Sequence, residues 1–243
     1  MGKILSALLA VLYPQRCPSC AAIIEEEESF CLRCLPHIQL VTSPLCSCCG
    51  IPFVTDEGPD HLCGPCLGDP PPFRQARAWA HYHYGTANPQ PVSEAIHKFK
   101  YNRDLSVGKT LALLAAISFP LADEQYDVII PVPLHLTRLR WRGFNQALVL
   151  SQAIGTAYGV TVDPFLLERV RPTVPQTQLT GKERRTNVKG AFTIPATDRL
   201  HDERVLLVDD VYTSGATITE CARVLIRAGA QIVDVFTLAR AVS

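Results

Sequence analysis

Apolar runs, either alternating or continuous, dominate the second half of the chain and predict strands there. Residues 76–84, ARAWAHYHY, alternate as a strand does and place His81 and His83 on one face. Residues 126–132, YDVIIPV, form the unbroken apolar run that is typical of a strand buried in a parallel sheet. Within residues 205–238, the strand patterns VLLVDD and QIVDVFTL flank a helical pattern, which predicts a βαβ unit.

Helical patterns fill the spaces between these strands. The last runs from about Ala216 to Ala228, with Gly229 as its C-terminal stop. Ser93 is predicted to cap a helix that begins EAIHKFK, and another helix is predicted from about Ser106 to Ser118. The pattern as a whole predicts an α/β fold in which helices flank a mostly parallel sheet.

The N-terminal segment is apolar but short. Residues 4–13 cannot span a bilayer, have only Lys3 before them and lack a small-residue cleavage site. We therefore expect a short amphipathic helix, no membrane insertion and a cytoplasmic protein.

Composition divides the chain in two. The 243 residues are 47% hydrophobic, enough for one core and a smaller appendage, and the Pro-rich stretch GDPPPF at 68–73 marks a boundary. Residues 1–72 hold 3 Lys/Arg and 8 Asp/Glu, a net charge of −5, while residues 73–243 hold 20 and 15, a net of +5. We predict domains at 1–72 and 73–243, the second suited to anionic small molecules or nucleic acid.

Nine cysteines lie in the first domain, and eight of them form four Cys-x-x-Cys pairs, within CPSC, CLRC, CSCC and CGPC. Two thiolates from one tight turn can point at a single ion, and two such pairs complete a tetrahedral zinc site. The spacing favours one structural site formed by Cys17, Cys20, Cys31 and Cys34 and another formed by Cys46, Cys49, Cys63 and Cys66, with interleaved pairing left open. Cys48 is then spare, and Gly50 is expected to adopt positive φ.

Disulfide bonds and a redox motif are the two alternatives to zinc for these cysteines. Disulfides need an oxidising compartment that nothing in the sequence indicates. CGPC resembles a thioredoxin-type motif, but that motif opens a helix, and the LGDPPP that follows it at 67–72 is expected to forbid one. Cys221, alone on a predicted helix, is interpreted as a small buried residue.

Two adjacent acids end the strand VLLVDD. Ligands of parallel α/β sheets bind outside the carboxyl ends of the strands, so Asp209 and Asp210 are expected to face a ligand. Carboxylates repel phosphate, but they accept hydrogen bonds from vicinal hydroxyls and they bind Mg²⁺. The next residues, YTSGAT at 212–217, offer hydroxyls and backbone N–H groups at a helix N-terminus, with Gly215 allowing close approach of a phosphate. The pattern predicts a ribose 5-phosphate site.

Three other motifs have to be distinguished from this site. Arg138, Arg140 and Arg142 precede a helix predicted near Phe144 and suit phosphate or pyrophosphate, although a solvated basic loop would be the favoured interpretation if this stretch stood alone. GKT at 108–110 lacks the first glycine of a P-loop. A plain capped turn explains the hydroxyls after the acids but not the paired aspartates.

The segments HKFKYNRD, PVPLHLTRLRWRGFNQ, QTQLTGKERRTNVKGAF and VDDVYTSGAT, following the four cysteine pairs in this order, make the chain similar over nearly its whole length to the ComF/GntX family. That family joins a double zinc ribbon to a type I phosphoribosyltransferase-like domain and is linked to DNA uptake and natural transformation. The resemblance implies two structural zinc ions, and Mg²⁺ together with 5-phosphoribosyl 1-pyrophosphate (PRPP) as ligand.

The resemblance also implies roles for individual residues. Asp209 and Asp210 would hold the ribose hydroxyls, and the 5-phosphate would be cradled by Tyr212, Thr213, Ser214, Gly215, Ala216 and Thr217. The element near the pyrophosphate comprises Arg142, Gly143, Phe144, Asn145 and Gln146. Residues 176–188 occupy the flexible-loop position, and the catalytic side chains that fold over the leaving group would be Lys182, Arg184 and Arg185.

The sequence thus supports phosphoribosyl transfer from PRPP with release of pyrophosphate, to an acceptor that no signature identifies. Two alternatives remain: a non-catalytic PRPP sensor, and a single-stranded DNA-binding factor with Tyr101, Trp141 and Phe144 as stacking surfaces. The family also suggests a DNA-uptake helicase as partner.

Overall fold

A five-stranded parallel sheet forms the centre of the protein. The computed structural model describes residues 14–25, 27–55, 57–83, 90–173, 181–195 and 200–242. The strand order is β1 (Ala76–Tyr82), β7 (Ile232–Ala241), β6 (Arg204–Tyr212), β2 (Val128–Pro131) and β3 (Thr161–Val162). All four pairings are parallel, which confirms the predicted fold class. A separate antiparallel pair consists of β4 (Glu168–Arg169) and β5 (Phe192–Thr193).

Seven α-helices accompany these strands in the described part of the chain: α1 (Gly64–Gly68), α2 (Pro91–His97), α3 (Leu105–Ile117), α4 (Leu136–Arg142), α5 (Gln146–Tyr158), α6 (Gly181–Val188) and α7 (Ala216–Arg227). A π-helical turn, Lys98–Asn102, continues α2. No helix in the described ranges has the length and apolar character to cross a membrane.

The central strand β6 carries the core on both of its faces. Its residues Val205 to Val208 are fully buried because helices cover the sheet on each side. Leu206 and Val208 pack in a cluster that includes α3 and α5 side chains, while Val205 and Leu207 pack with α7. Cys221, on α7, is fully buried as predicted.

The helix boundaries correct two expectations and leave a third untested. Ser93 does not cap α2, which begins at Pro91 after Gln90; its hydroxyl instead accepts the backbone N–H of His83 at 3.0 Å. The three arginines that precede Phe144 lie on helix α4 and not on a loop, because His135 caps a separate turn of helix there. The predicted N-terminal helix, residues 4–13, lies outside the described residues.

The cysteine-rich half packs directly against the edge strand β1. The Gln39 carbonyl accepts from His81 N at 2.8 Å, and the Cys48 carbonyl accepts from Ala76 N at 2.6 Å. Cys17 and Cys34 belong to the hydrophobic cluster on one side of the sheet, and Cys46, Cys49 and Cys66 belong to the cluster on the other. The cysteine-rich half therefore covers the sheet edge and extends both cores. The division at residue 72 stays a prediction.

Candidate functional site

The eight paired cysteines form two four-sulfur clusters. The first cluster is Cys17, Cys20, Cys31 and Cys34, and the second cluster is Cys46, Cys49, Cys63 and Cys66; in each, the Sγ atoms lie within 4.8 Å of one another. A tetrahedral zinc site with ~2.3 Å bonds needs sulfur separations of about 3.8 Å. Cys49 and Cys63 are 3.8 Å apart and Cys20 and Cys31 are 3.5 Å apart, so both donor sets fit zinc without disulfide bonds.

Backbone geometry supports the second cluster. Cys46 Sγ accepts the N–H groups of Cys49 and Cys63, each at 3.4 Å, as thiolate ligands in a metal knuckle do. Gly50 has φ +65°, as predicted, and a Cβ there would lie 2.3 Å from the Ala76 carbonyl oxygen. Cys48 stands outside both clusters.

The CGPC segment departs from one expectation. Helix α1 begins at Gly64, inside the motif, so the claim that the following prolines forbid a helix was wrong. The helix lasts five residues because Pro70 and its neighbours cannot continue it. The argument against a redox motif is instead that Cys63 and Cys66 belong to a four-sulfur cluster.

The two acids lie at the carboxyl end of β6, as predicted. Asp210 forms an ion pair with Lys100 at 2.8 Å, and both side chains are mostly buried, with 16% and 19% of their surface exposed. Asp209 accepts the Asp210 N–H at 2.9 Å. Burial and the adjacent Asp210 raise the pKa of Asp209 from 3.8 to about 7.

Three cations from separate elements, Lys100, Arg142 and Arg169, lie near these acids, and Lys100 is in direct contact with Asp210. Burial lowers the pKa of Lys100, but Asp210 and Asp209 more than offset this, so its pKa is raised. Burial also lowers the pKa values of Arg142 and Arg169, while Asp210 opposes the shift at Arg142. The guanidinium groups thus lie within electrostatic range of the carboxylates.

Both arginines present an unused donor. Among the described residues, the buried Nε atoms of Arg142 and Arg169 have no hydrogen-bond partner. Arg138 lies close enough to lower the pKa of each further. Like charges repel, so such a group of arginines with free donors is suited to a multiply charged anion. Lys100 and Arg169 were not singled out from the sequence, because they lie on the π-helical turn and on β4, far from the acids along the chain.

The turn after the acids has the predicted features, with one correction. Gly215 is the N-cap of α7 with φ +73°, and no side chain caps this helix, so its first-turn N–H groups face the turn. Ser214 is exposed, and Thr213 and Thr217 are half-buried and have contacts of their own. Tyr212, however, does not line the turn: its ring is 6% exposed and packs beneath Gly215.

The side chains of the RGFNQ element, residues 142–146, mostly make contacts within the protein. Asn145 caps α5, since its Oδ1 accepts from Ala147 N at 3.0 Å and its Nδ2 donates to the Val132 carbonyl at 3.0 Å. Gln146 is buried. Phe144 stacks on Phe99 at 5.1 Å and is half-buried. Of this element, Arg142 is the residue whose pKa is affected by Asp210.

The predicted catalytic cations lie on helix α6, so the described part of this segment is helical and not a loop. The side chains of Lys182, Arg184 and Arg185 fall outside the described residues, as does all of 174–180. The C-terminal end of the segment is fixed by Arg171, which donates to the carbonyls of Asn187 at 3.1 Å and Lys189 at 2.8 Å.

A groove of about 1280 Å³ lies beside this site and not over it. Apolar side chains of α3 and α5 form much of its wall, and of the residues assigned to the site it includes Gly143, Phe144, Asn145 and Arg169. We place the candidate site at the acids because the charged groups with unused donors converge there.

Comparison with known proteins agrees with this architecture. The double zinc ribbon domain family matches residues 8–67, and the phosphoribosyl transferase domain family matches residues 115–243. Competence protein F of Haemophilus influenzae is 31% identical over 87% of this chain and 96% of its own length. DNA utilization protein YhgH of Salmonella typhimurium is 34% identical over 81% of this chain and 84% of its own.

Among solved structures, a glutamine PRPP amidotransferase from B. subtilis is similar with a TM-score of 0.37 and 22% identity, over 54% of this chain and 26% of that one. That likeness is too partial to support an argument. The zinc ribbon match and the two cysteine clusters together support zinc as the metal.

Proposed function

Because the chain belongs to the ComF/GntX family, in which a double zinc ribbon precedes a phosphoribosyl transferase domain, we propose that it binds Mg²⁺ and PRPP at the carboxyl end of β6. One observation carries the proposal: near the two acids at the strand end lie two arginines, Arg142 and Arg169, whose buried Nε donors have no hydrogen-bond partner in the described structure. A ligand that carries hydroxyls in one part and phosphoryl groups in others can donate hydrogen bonds to the acids and accept them from the arginines.

The parts of the ligand divide among these groups. Asp209 and Asp210 accept the ribose hydroxyls, and Arg142 and Arg169 donate to the pyrophosphate. The turn at residues 213–217 receives the 5-phosphate through backbone N–H groups at the α7 N-terminus. For Asp210 to accept a hydroxyl, the Lys100 ammonium moves from Asp210 to a phosphoryl oxygen, which keeps its charge paired.

Such a site favours phosphoribosyl transfer. The bond from C1 to the pyrophosphate oxygen breaks and its electron pair leaves with the pyrophosphate, while the acceptor's lone pair forms the new bond to C1 and the acceptor's proton passes to solvent. The arginines, together with Lys182, Arg184 and Arg185 from α6, would stabilise the departing charge by position and electrostatics. Mg²⁺, when bound with PRPP, would neutralise further charge on the leaving group. The acceptor is not defined by any residue of the site.

The zinc clusters have a structural role in this proposal. Four thiolates complete the coordination shell of zinc and leave no position for substrate. Both clusters also pack into the cores beside the sheet.

Calorimetry of the zinc-loaded full chain tests the proposal. Mg·PRPP is titrated into the wild type and into the double variant Asp209→Asn/Asp210→Asn, with Asp123→Asn as control for loss of an exposed carboxylate. We expect binding to the wild type and to the control and at least a hundredfold loss in the double variant, since two charge-assisted hydrogen bonds are each worth about 1.5–3 kcal/mol. Equal affinity in all three proteins rejects the site.

A second function, contact with single-stranded DNA, is favoured by an exposed aromatic and cationic patch. Tyr101 and Trp141 are 48% and 49% exposed, and Arg103 lies 5.1 Å from the centre of the Trp141 ring. Bases can stack on such side chains. The relatives named for competence and DNA utilization agree with this role, whereas Phe144 is stacked within the protein. A helicase partner stays a prediction of the family resemblance.

Salt dependence distinguishes this second function. The affinity for a single-stranded oligonucleotide is expected to fall steeply with salt and to fall further in Trp141→Ala, with Trp79→Phe, a buried position, as control. A salt-insensitive affinity that Trp141→Ala leaves unchanged rejects it.

A further inference from the structure

A buried arginine joins the second cysteine cluster to the strand that carries the candidate site. Arg240, on β7, is 6% exposed and lies opposite Tyr212 of β6 in the sheet register. One of its terminal nitrogens donates to Cys49 Sγ at 3.6 Å, and its guanidinium carbon lies 3.9 Å from the centre of the Tyr212 ring. In the described structure its Nε and its other terminal nitrogen have no hydrogen-bond partner, and no carboxylate forms an ion pair with it.

A cation in this position needs an anionic partner. Burying an isolated guanidinium costs several kcal/mol, so buried arginines are normally paired. Zinc bound by four thiolates carries a net charge of −2, since four negative ligands surround a dication. Cys49, a member of the second cluster, contacts Arg240 directly. The zinc–thiolate group therefore supplies the charge that the described carboxylates do not.

Arg240 is also linked, through Tyr212, to the turn that follows β6. Tyr212 stacks on the Arg240 guanidinium, and its ring packs so closely under Gly215 that a Cβ there would lie 2.3 Å from the Tyr212 hydroxyl oxygen. Gly215 is the N-cap of α7 and holds φ +73°. The contacts thus run without a gap from Cys49 through Arg240 and Tyr212 to the glycine of the turn.

We propose that Arg240 is a positioning residue that couples the second cysteine cluster to the turn at residues 213–217. The negative metal–thiolate group pairs with the positive charge of Arg240. The guanidinium group stacks on the Tyr212 ring and so keeps that ring packed under Gly215. The consequence for PRPP affinity rests on the proposed function, whereas the effects on zinc and on the turn do not.

Zinc release measures the first link. The full-length protein is exposed to a chromogenic chelator, and the variants are Arg240→Met, Arg240→Lys and the matched control Arg33→Met, whose exposed guanidinium lies 3.9 Å from Cys20 Sγ in the first cluster. In Arg240→Met we expect one zinc ion to leave about tenfold faster and the other at the wild-type rate, since such supporting contacts are worth about 10–100-fold in metal affinity. Arg240→Lys, which keeps the charge, is expected to restore retention. Arg33→Met is expected to change little.

Hydrogen exchange measures the second link. Peptides that cover residues 212–218 are expected to exchange faster in Arg240→Met than in the wild type, while β2 peptides keep their protection and show that the fold is intact. If Arg240→Met releases both zinc ions at the wild-type rate, the proposed charge interaction between Arg240 and the zinc–thiolate group is wrong. Unchanged exchange in the turn overturns the coupling.

The affinity for Mg·PRPP is measured on the same proteins. If the wild type binds Mg·PRPP, Arg240→Met is expected to bind it about tenfold more weakly. Unchanged PRPP affinity in that variant overturns the consequence for binding. A wild type that does not bind PRPP rejects the proposed function, and zinc release and exchange still decide the coupling.

Discussion

The raised pKa of Asp209 predicts that Asp209→Asn stabilises the protein at alkaline pH while it weakens ligand binding. The carboxyl is held at the strand end by burial and lies beside Asp210, so its pKa is about 7 in the folded chain against 3.8 for a free side chain. Ionising it in place therefore costs on the order of 4 kcal/mol, since each pKa unit corresponds to about 1.4 kcal/mol.

The sign of the pH dependence follows from proton binding. Between pH 4 and 7 the folded state keeps a proton that the unfolded state has lost, so the free energy of unfolding falls as pH rises through this window. Asparagine carries no charge at any pH. Applying the two pKa values at pH 5.5 and pH 8, we expect the advantage of Asp209→Asn over the wild type to grow by about 2 kcal/mol.

Urea unfolding of the zinc-saturated full chain at pH 5.5 and pH 8 measures this difference, with Asp123→Asn as the exposed control. The same variant is expected to lose affinity for Mg·PRPP at pH 8, which makes Asp209 a residue kept for function at a cost in stability. An Asp209→Asn advantage that is equal at both pH values refutes the reasoning, because Asp209 would then not titrate in this window.

Three further predictions concern individual contacts, two of them at the site and one between the cysteine-rich half and α2. Lys100→Met leaves the mostly buried Asp210 without its ion pair, so we expect unfolding to require about 2 kcal/mol less and Lys100→Met/Asp210→Asn to recover most of the loss; equal urea midpoints for the single variant and the wild type contradict this. Gly215→Ala forces a Cβ against Tyr212 at positive φ, and a Tm at least several degrees lower is expected, whereas an unchanged Tm shows that the turn is not so constrained. Ser19→Ala removes a 2.5 Å hydrogen bond to Glu94 and is expected to cost about 1 kcal/mol in urea unfolding; no cost argues against a role for this contact.

The features that could be predicted from the sequence are those whose pattern lies within one short segment of the chain. The apolar run of β6 and the acids at its end required only that helices cover both faces of a parallel sheet. The cysteine spacing likewise predicted the two sets of four thiols, because each pair sits in one tight turn. Gly229 ends α7 as expected, since its φ of +112° favours glycine.

Contacts between segments that are distant along the chain could not be predicted from local sequence patterns. Lys100 and Arg169 lie on elements more than thirty residues from the acids along the chain, and only the fold brings them near Asp209. Tyr212 was assigned to the phosphate turn because it follows the acids, yet the close packing of Gly215 turns its ring beneath the loop. Asn145 was assigned to the ligand, but both ends of its amide are used by the chain itself.

The central claim is that the acids at the end of β6 and the turn that follows them hold a phosphoribosyl group. A crystal structure of the full chain grown with Mg²⁺ and PRPP tests this most directly. We expect the ribose hydroxyls on Asp209 and Asp210, the 5-phosphate at residues 213–217 and the pyrophosphate near Arg142 and Arg169. A ligand bound elsewhere, with Lys100 still paired to Asp210, contradicts the claim.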